Sequence, residues 1–150
     1  NCGPVAFFLP EFRGRNAESG TPDLAAYLML HDINAWPIWS DAQTWNRLYE
    51  ILDAYDMPNA QFQPYWQDSG VRAAPQVLVS SYVGSAGVIL AAMNTGEATD
   101  AQLVVDLQRL RLSRISTAID VLRNEPLTVV ENALTVSLAR HQGRVILVKP

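Results

Sequence analysis

From Gln76 to the end of the chain, the hydrophobic residues fall on a period of two, and this constrains the fold more than any other feature. Gln76–Val83 and Gly87–Met93 are apolar runs on either side of Gly84-Ser85-Ala86, the pattern of a hairpin with a short glycine-bearing loop. Leu103, Val105 and Leu107 alternate with Val104 and Asp106, and Leu134, Val136 and Leu138 with Thr135 and Ser137. Gln142-Gly143 then turns the chain into Arg144–Val148. Alternation of this kind puts one face of each strand in a core and the other in water. Leu110, Leu112 and Ile115 fit neither a strand nor a helix period, so Gln108 onward reads as loop, followed by a strand over Ala118–Leu122. Six or seven short strands at about ten-residue spacing predict an antiparallel β-sandwich.

The upstream half is of another kind. Residues 83–150 contain no Phe, Tyr or Trp, whereas all four Trp (Trp36, Trp39, Trp45, Trp66) lie in one central stretch. Residues 1–75 carry nine acids and four bases, and the remainder six acids and seven bases. A shift of this size marks a boundary, placed between Pro64 and Pro75. Val5-Ala6-Phe7-Phe8-Leu9, stopped by Pro10, reads as a fully buried strand of the kind found in parallel sheets. Thr21-Pro22-Asp23 has the chemistry of a helix start, followed by Leu24, Tyr27, Leu28 and His31 at helical spacing. Ser40-Asp41-Ala42-Gln43 fits a capping box, with Trp45, Leu48, Tyr49, Leu52 and Tyr55 as the stripe behind it and Met57-Pro58-Asn59 as the stop.

Several function classes recede on composition. The net charge of −4 lacks the clustered cationic charge of a nucleic-acid binder. The longest apolar stretch, Val88–Met93, is far shorter than the ~20 residues of a membrane-spanning helix. One cysteine, Cys2, excludes an internal disulfide framework and reads as a small hydrophobe. His31 and His141, one in each half, are too few to argue for a metal, and no cofactor-binding motif is present. The opening Asn1-Cys2-Gly3, with no Met and no charged-then-apolar leader, raises the expectation of a processed chain or a piece of a longer one, and leaves its compartment open.

Three groups can carry chemistry. Glu11 and Arg13 follow the first strand, where α/β barrels present functional groups, and Glu11 could bind or protonate a sugar oxygen with Arg13 orienting it. A solvated Glu–Arg loop is the structural alternative. His31 beside Asp32 suggests a proton shuttle, yet helix neighbours do not face each other, and capping of the helix end serves His31 equally well. Trp36, Trp39, Tyr65 and Trp66 could stack on the apolar faces of sugar rings, or fill a domain junction. A glycosidase needs two carboxyl groups across the scissile bond, and Glu11 with Asp32 would qualify only if the fold brought them together.

Three segments, Phe8-Leu9-Pro10-Glu11-Phe12-Arg13, Leu28-Met29-Leu30-His31-Asp32 with Trp36, and Phe62-Gln63-Pro64-Tyr65-Trp66, resemble the last barrel segments of glycoside hydrolase family 123-like proteins. Val77–Tyr82 and Gly87–Asn94 resemble the β-sandwich that follows the barrel there. The resemblance implies an α+β chain, with closing segments of a (β/α) barrel at 1–70 and a C-terminal sandwich at 75–150. It implies carbohydrate as partner, with Glu11, Arg13, His31, Asp32, Trp36, Tyr65 and Trp66 lining the sugar site. The characterised branch uses an adjacent Asp-Glu pair, which this sequence lacks. The pair is therefore expected upstream, and this chain by itself is expected to be inactive, its 1–70 face covered by the rest of a barrel or by self-association. A self-contained carbohydrate-binding or protein-interaction module is the alternative.

Overall fold

The computed structural model describes residues 7–9, 11–12 and 16–150. Two antiparallel sheets lie face to face. The six-stranded one has the order β3-β5-β6-β12-β8-β9, where β3 is Gln61–Gln63, β5 Val77–Val83, β6 Val88–Asn94, β8 Thr117–Asp120, β9 Glu125–Pro126 and β12 Gly143–Lys149. The four-stranded one has the order β10-β11-β7-β4, with β4 Val71–Arg72, β7 Thr99–Val105, β10 Thr128–Val130 and β11 Ala133–Leu138. Val79, Leu90, Ala92, Ile146 and Val148 from the first sheet meet Leu103, Val105, Leu134 and Val136 from the second in a dry core. Leu110, Leu112 and Ile115, which fit no period, are buried in this core from the 107–116 segment.

The two sheets differ in pattern because they differ in cover. β7 and β11 alternate between buried and exposed residues, as a sheet with one wet face must. β6 and β12 are buried almost throughout, since helices cover the outer face of their sheet. There Ile89, Ala91, Val145 and Leu147 join Ala25, Ala26, Leu28 and Leu30 of α1 (Ala17–Leu30) and Trp45 and Leu48 of α2 (Ala42–Ala54). The small side chains Ala25 and Ala26 let α1 approach the sheet closely. A Cβ placed on Gly143 would stand 2.6 Å from that of Ala26 and 3.1 Å from the Asp23 carbonyl, so this contact requires glycine.

A buried ion cluster fixes the same junction. Asp120 is fully buried and accepts from Arg144 (2.9 Å), Arg123 (3.2 Å) and the backbone N–H groups of Leu122 and Arg123 (3.0 and 3.1 Å). Arg123 also donates to Asp23 of α1 at 2.6 Å, and Arg144 pairs with Glu125. Burial by itself would lower the Arg144 guanidinium, but its bonds to Asp120 and Glu125 outweigh this and raise it above its ordinary value.

The remaining elements form a parallel unit: β1 (Phe7–Phe8) and β2 (Asn34–Ala35) pair in parallel and are joined through α1. Three expectations need correction. The first strand is not fully buried: Phe8 and Leu9 are exposed, because among the described residues no layer covers that side. Helix α1 begins at Ala17 with Asn16 before it, not at Thr21. The Thr21 hydroxyl donates back to the Ala17 carbonyl (2.6 Å) and accepts from the backbone N–H of Asp41, and Pro22 lies inside the helix. The cap of α2 is Asp41, whose carboxylate accepts from the Thr44 N–H (2.8 Å) and hydroxyl (2.6 Å), while Ser40 accepts from the Trp45 indole (2.7 Å). The chain is thus a β-rich α+β fold, mostly antiparallel, with two helices among the described residues.

Candidate functional site

The parallel pair has two ends, and the residues singled out from the sequence divide between them. Glu11 follows the carboxyl end of β1, and Trp36 follows that of β2. The two loops are joined: the Trp36 N–H donates to the Phe8 carbonyl (3.0 Å), and the Phe12 N–H to the Trp39 carbonyl (3.2 Å). The Phe12 ring packs over Gly20 of α1, where a Cβ would meet it at 2.6 Å. Trp36 is 55% exposed and Trp39 61% exposed, with Phe8, Leu9 and Ile38 exposed alongside. This end brings Glu11 onto the same joined loops as solvent-facing aromatic rings, residue types that can stack on and hydrogen-bond a sugar. Arg13 lies outside the described residues, as does Cys2.

His31 and Asp32 lie at the opposite end, where α1 turns into β2. Local geometry explains both. The Asp32 N–H donates to the Met29 carbonyl (3.3 Å) and the Ile33 N–H to the Leu28 carbonyl (3.0 Å), the paired bonds of a Schellman helix end. Asp32 takes the left-handed position (φ 54°) usually given to glycine. Its carboxylate accepts from the buried Tyr82 hydroxyl (3.2 Å), which also donates to the Met29 carbonyl (2.6 Å). Burial, and then the Asp32 charge, push the Tyr82 phenol far above its ordinary value, so it stays protonated and able to donate. Asp32 and Tyr82 also edge an apolar cavity of about 250 Å³ between the helices, walled by Met29, Trp45, Leu48 and Leu52.

His31 belongs to an aromatic cluster at this end. Its Nδ1 lies 2.9 Å from the Tyr27 carbonyl, which can only accept, so Nδ1 carries the proton and Nε2 faces the Tyr65 hydroxyl at 3.5 Å. The His31 ring is 4.6 Å from that of Tyr27, 5.5 Å from Tyr65 and 6.4 Å from Trp66, between centroids. The structure therefore groups His31, Asp32, Tyr65 and Trp66, and separately Glu11 and Trp36. Glu11 and Asp32 stand at opposite ends of the parallel pair.

Sequence reasoning put Tyr27 on the same helical stripe as His31 but not among the site residues, although it stands four residues before His31, the spacing at which helix side chains meet. It passed over Tyr82, whose face was readable from the alternation Leu78, Ser80, Tyr82 along β5. Among the described residues, no group of three or more His, Cys, Asp or Glu is placed to hold a metal ion. No helix is long and apolar enough to cross a membrane.

The sequence matches no protein-family model and no curated protein. Among solved structures, a glycoside hydrolase family 30 subfamily 8 xylanase from Clostridium acetobutylicum aligns with 99% of this chain, over 46% of its own length, with a TM-score of 0.50 and 13% identity. A GH27 β-L-arabinopyranosidase from Geobacillus stearothermophilus aligns with 54% of this chain and 19% of its own, with a TM-score of 0.42 and 21% identity. The chain thus spans less than half of either enzyme. At such identities the likeness to the xylanase concerns the fold alone: the chain has a glycosidase-like fold, matched along nearly all of its length.

Proposed function

We propose that this chain is the C-terminal part of a carbohydrate-active enzyme of the glycoside hydrolase type, with the family 123-like character suggested by its sequence segments. Residues 1–70 then hold the closing segments of a barrel, with β3 at their end lending an edge strand to the accessory sandwich of residues 75–150. Glu11, Arg13 and Trp36 contribute to the sugar site, and the catalytic carboxylate pair lies upstream.

The observation that carries this reading is the β1–α1–β2 unit. A strand, a helix and a parallel strand make the repeating element of a (β/α) barrel. Among the described residues neither outer edge of the pair carries another strand, and apolar side chains stand exposed beside it. An open parallel pair of two-residue strands has no independent stability, and parallel sheets are found covered on both faces. Helix α1 meanwhile rests on an antiparallel sandwich, and the xylanase with the same fold over this length supports the assignment. Glu11 and Trp36 then fall where barrels hold their substrates, at the carboxyl ends of strands.

The deciding measurement is the intact mass of the native gene product, detected with an antibody against residues 83–150. A product several times heavier than 16.6 kDa is expected. A product at 16.6 kDa would overturn the reading and leave a self-contained carbohydrate-binding module in its place. The purified chain is also expected to hydrolyse no aryl glycoside, and turnover by it would remove the upstream catalytic pair from the proposal.

A further inference from the structure

We propose that the Tyr27–His31–Tyr65–Trp66 cluster is a second carbohydrate-binding surface, separate from the Glu11–Trp36 end, which takes a neutral oligosaccharide with one sugar ring stacked on the exposed Trp66 indole. The inference rests on the reading of the chain as part of a carbohydrate-active protein, but on different residues.

Trp66 is 54% exposed, yet it is not a loose side chain. Residues 64–67 form a turn closed by the Gln67 N–H on the Pro64 carbonyl (3.0 Å), which puts Tyr65 and Trp66 at its two central positions. The turn is anchored: the Tyr65 N–H donates to the Ser80 hydroxyl (3.0 Å), which donates to the Leu30 carbonyl at the end of α1 (2.7 Å). The indole is further held by Tyr65 (5.1 Å, near-perpendicular), Phe62 (6.1 Å) and His31 (6.4 Å, 25° between planes). Tyr27, with its ring 4.6 Å from that of His31, is exposed as well. A large aromatic surface kept in water while its rings are immobilised has its ordering cost met during folding, which favours binding of a flat partner.

The chemistry points to a sugar. A pyranose offers an apolar C–H face bordered by hydroxyl groups. Here the Trp66 ring matches the face and the exposed Tyr27 offers a further aromatic contact, while His31 Nε2 and the Tyr65 hydroxyl, 3.5 Å apart, can exchange hydrogen bonds with the border. None of the four side chains is an acid, and the neighbouring Asp32 carboxylate is engaged by the buried Tyr82 hydroxyl and disfavours an acidic ligand, so a neutral one suits the surface.

The test is fluorine NMR of the full-length native gene product labelled with 5-fluorotryptophan, the resonances of Trp36, Trp39, Trp45 and Trp66 assigned by single Trp→Phe changes. The probes are xylohexaose, cellohexaose and mannohexaose. One of them is expected to shift the Trp66 resonance saturably while the buried Trp45 stays still. Trp66→Ala should weaken this event at least tenfold, and Tyr27→Ala at least threefold, without changing any event at Trp36. Movement of Trp36 with Trp66 unmoved would overturn this second surface and leave the Glu11–Trp36 site standing. Movement of Trp66 alone would do the reverse. With no movement at either residue, both fall. Equal movement of all four resonances is non-specific contact and also overturns the proposal.

Discussion

Asp32 holds a backbone conformation that costs an ordinary side chain roughly 1–2 kcal/mol, and short polar side chains tolerate it best. Its carboxylate gains the Tyr82 hydroxyl in return. Asp32→Val should lower stability by about 2 kcal/mol in urea unfolding, by adding strain and removing that acceptor, whereas Asp32→Asn should change it by less than about 1 kcal/mol. Equal stability of the two variants would mean that the helix end does not depend on this residue. Asp41 gives a second test at this scale. The Thr44 hydroxyl, opposed by burial and helped by the backbone N–H groups of Thr44 and Gln43, holds its carboxyl below the ordinary value. A group lowered on folding stabilises the fold at pH above its unfolded value and loses that contribution as the pH falls through its folded value. Asp41→Ala should therefore cost about 1 kcal/mol near neutral pH. The gap should close in acid, and a gap independent of pH would remove the charged cap.

Among the elements, α1 presses against β12 at Gly143. Gly143→Ala would drive a methyl group into Ala26 and the Asp23 carbonyl, and should cost about 1–3 kcal/mol in denaturant unfolding. Adding Ala26→Gly should restore part of the loss, and an unchanged deficit would mean that the clash is with backbone alone. These contacts also explain what the sequence could and could not disclose. The hairpin at 84–86 and the strands β5, β6, β7, β8, β11 and β12 were readable, because alternation and turn residues are local signals, whereas β9 and β10, two and three residues long, carry too short a pattern to show. The start of α1 was misread because Thr21-Pro22-Asp23 carries helix-start chemistry inside a helix already begun. The Thr21 hydroxyl that would have capped it is spent on Ala17 and Asp41. The first strand was readable as a strand but not as an exposed one, since burial depends on what packs above it. The candidate residues were readable by type. Their division between two ends of one parallel pair was not, because it depends on strand direction.

At the scale of the molecule, the exposed group Phe8, Leu9, Trp36, Ile38 and Trp39 is the feature with the widest consequence. Contiguous apolar surface of more than a few hundred Å² drives association. The isolated chain should therefore dimerise or aggregate in sedimentation and bind a hydrophobic dye, and Trp36→Ser with Trp39→Ser should reduce both. A monodisperse monomer with low dye binding would contradict an uncovered barrel face. The six-stranded sheet sets the opposite extreme. Covered by the second sheet on one side and by α1 and α2 on the other, its central strands β6 and β12 have no face that water can reach without another layer leaving first. Their amides should exchange with deuterium only when the whole chain opens, while those of β1 and β2 exchange through local fraying. The chain would then come apart from its parallel end inward, and the part presenting Glu11 and Trp36 could loosen and re-form many times within the lifetime of the folded sandwich beneath it.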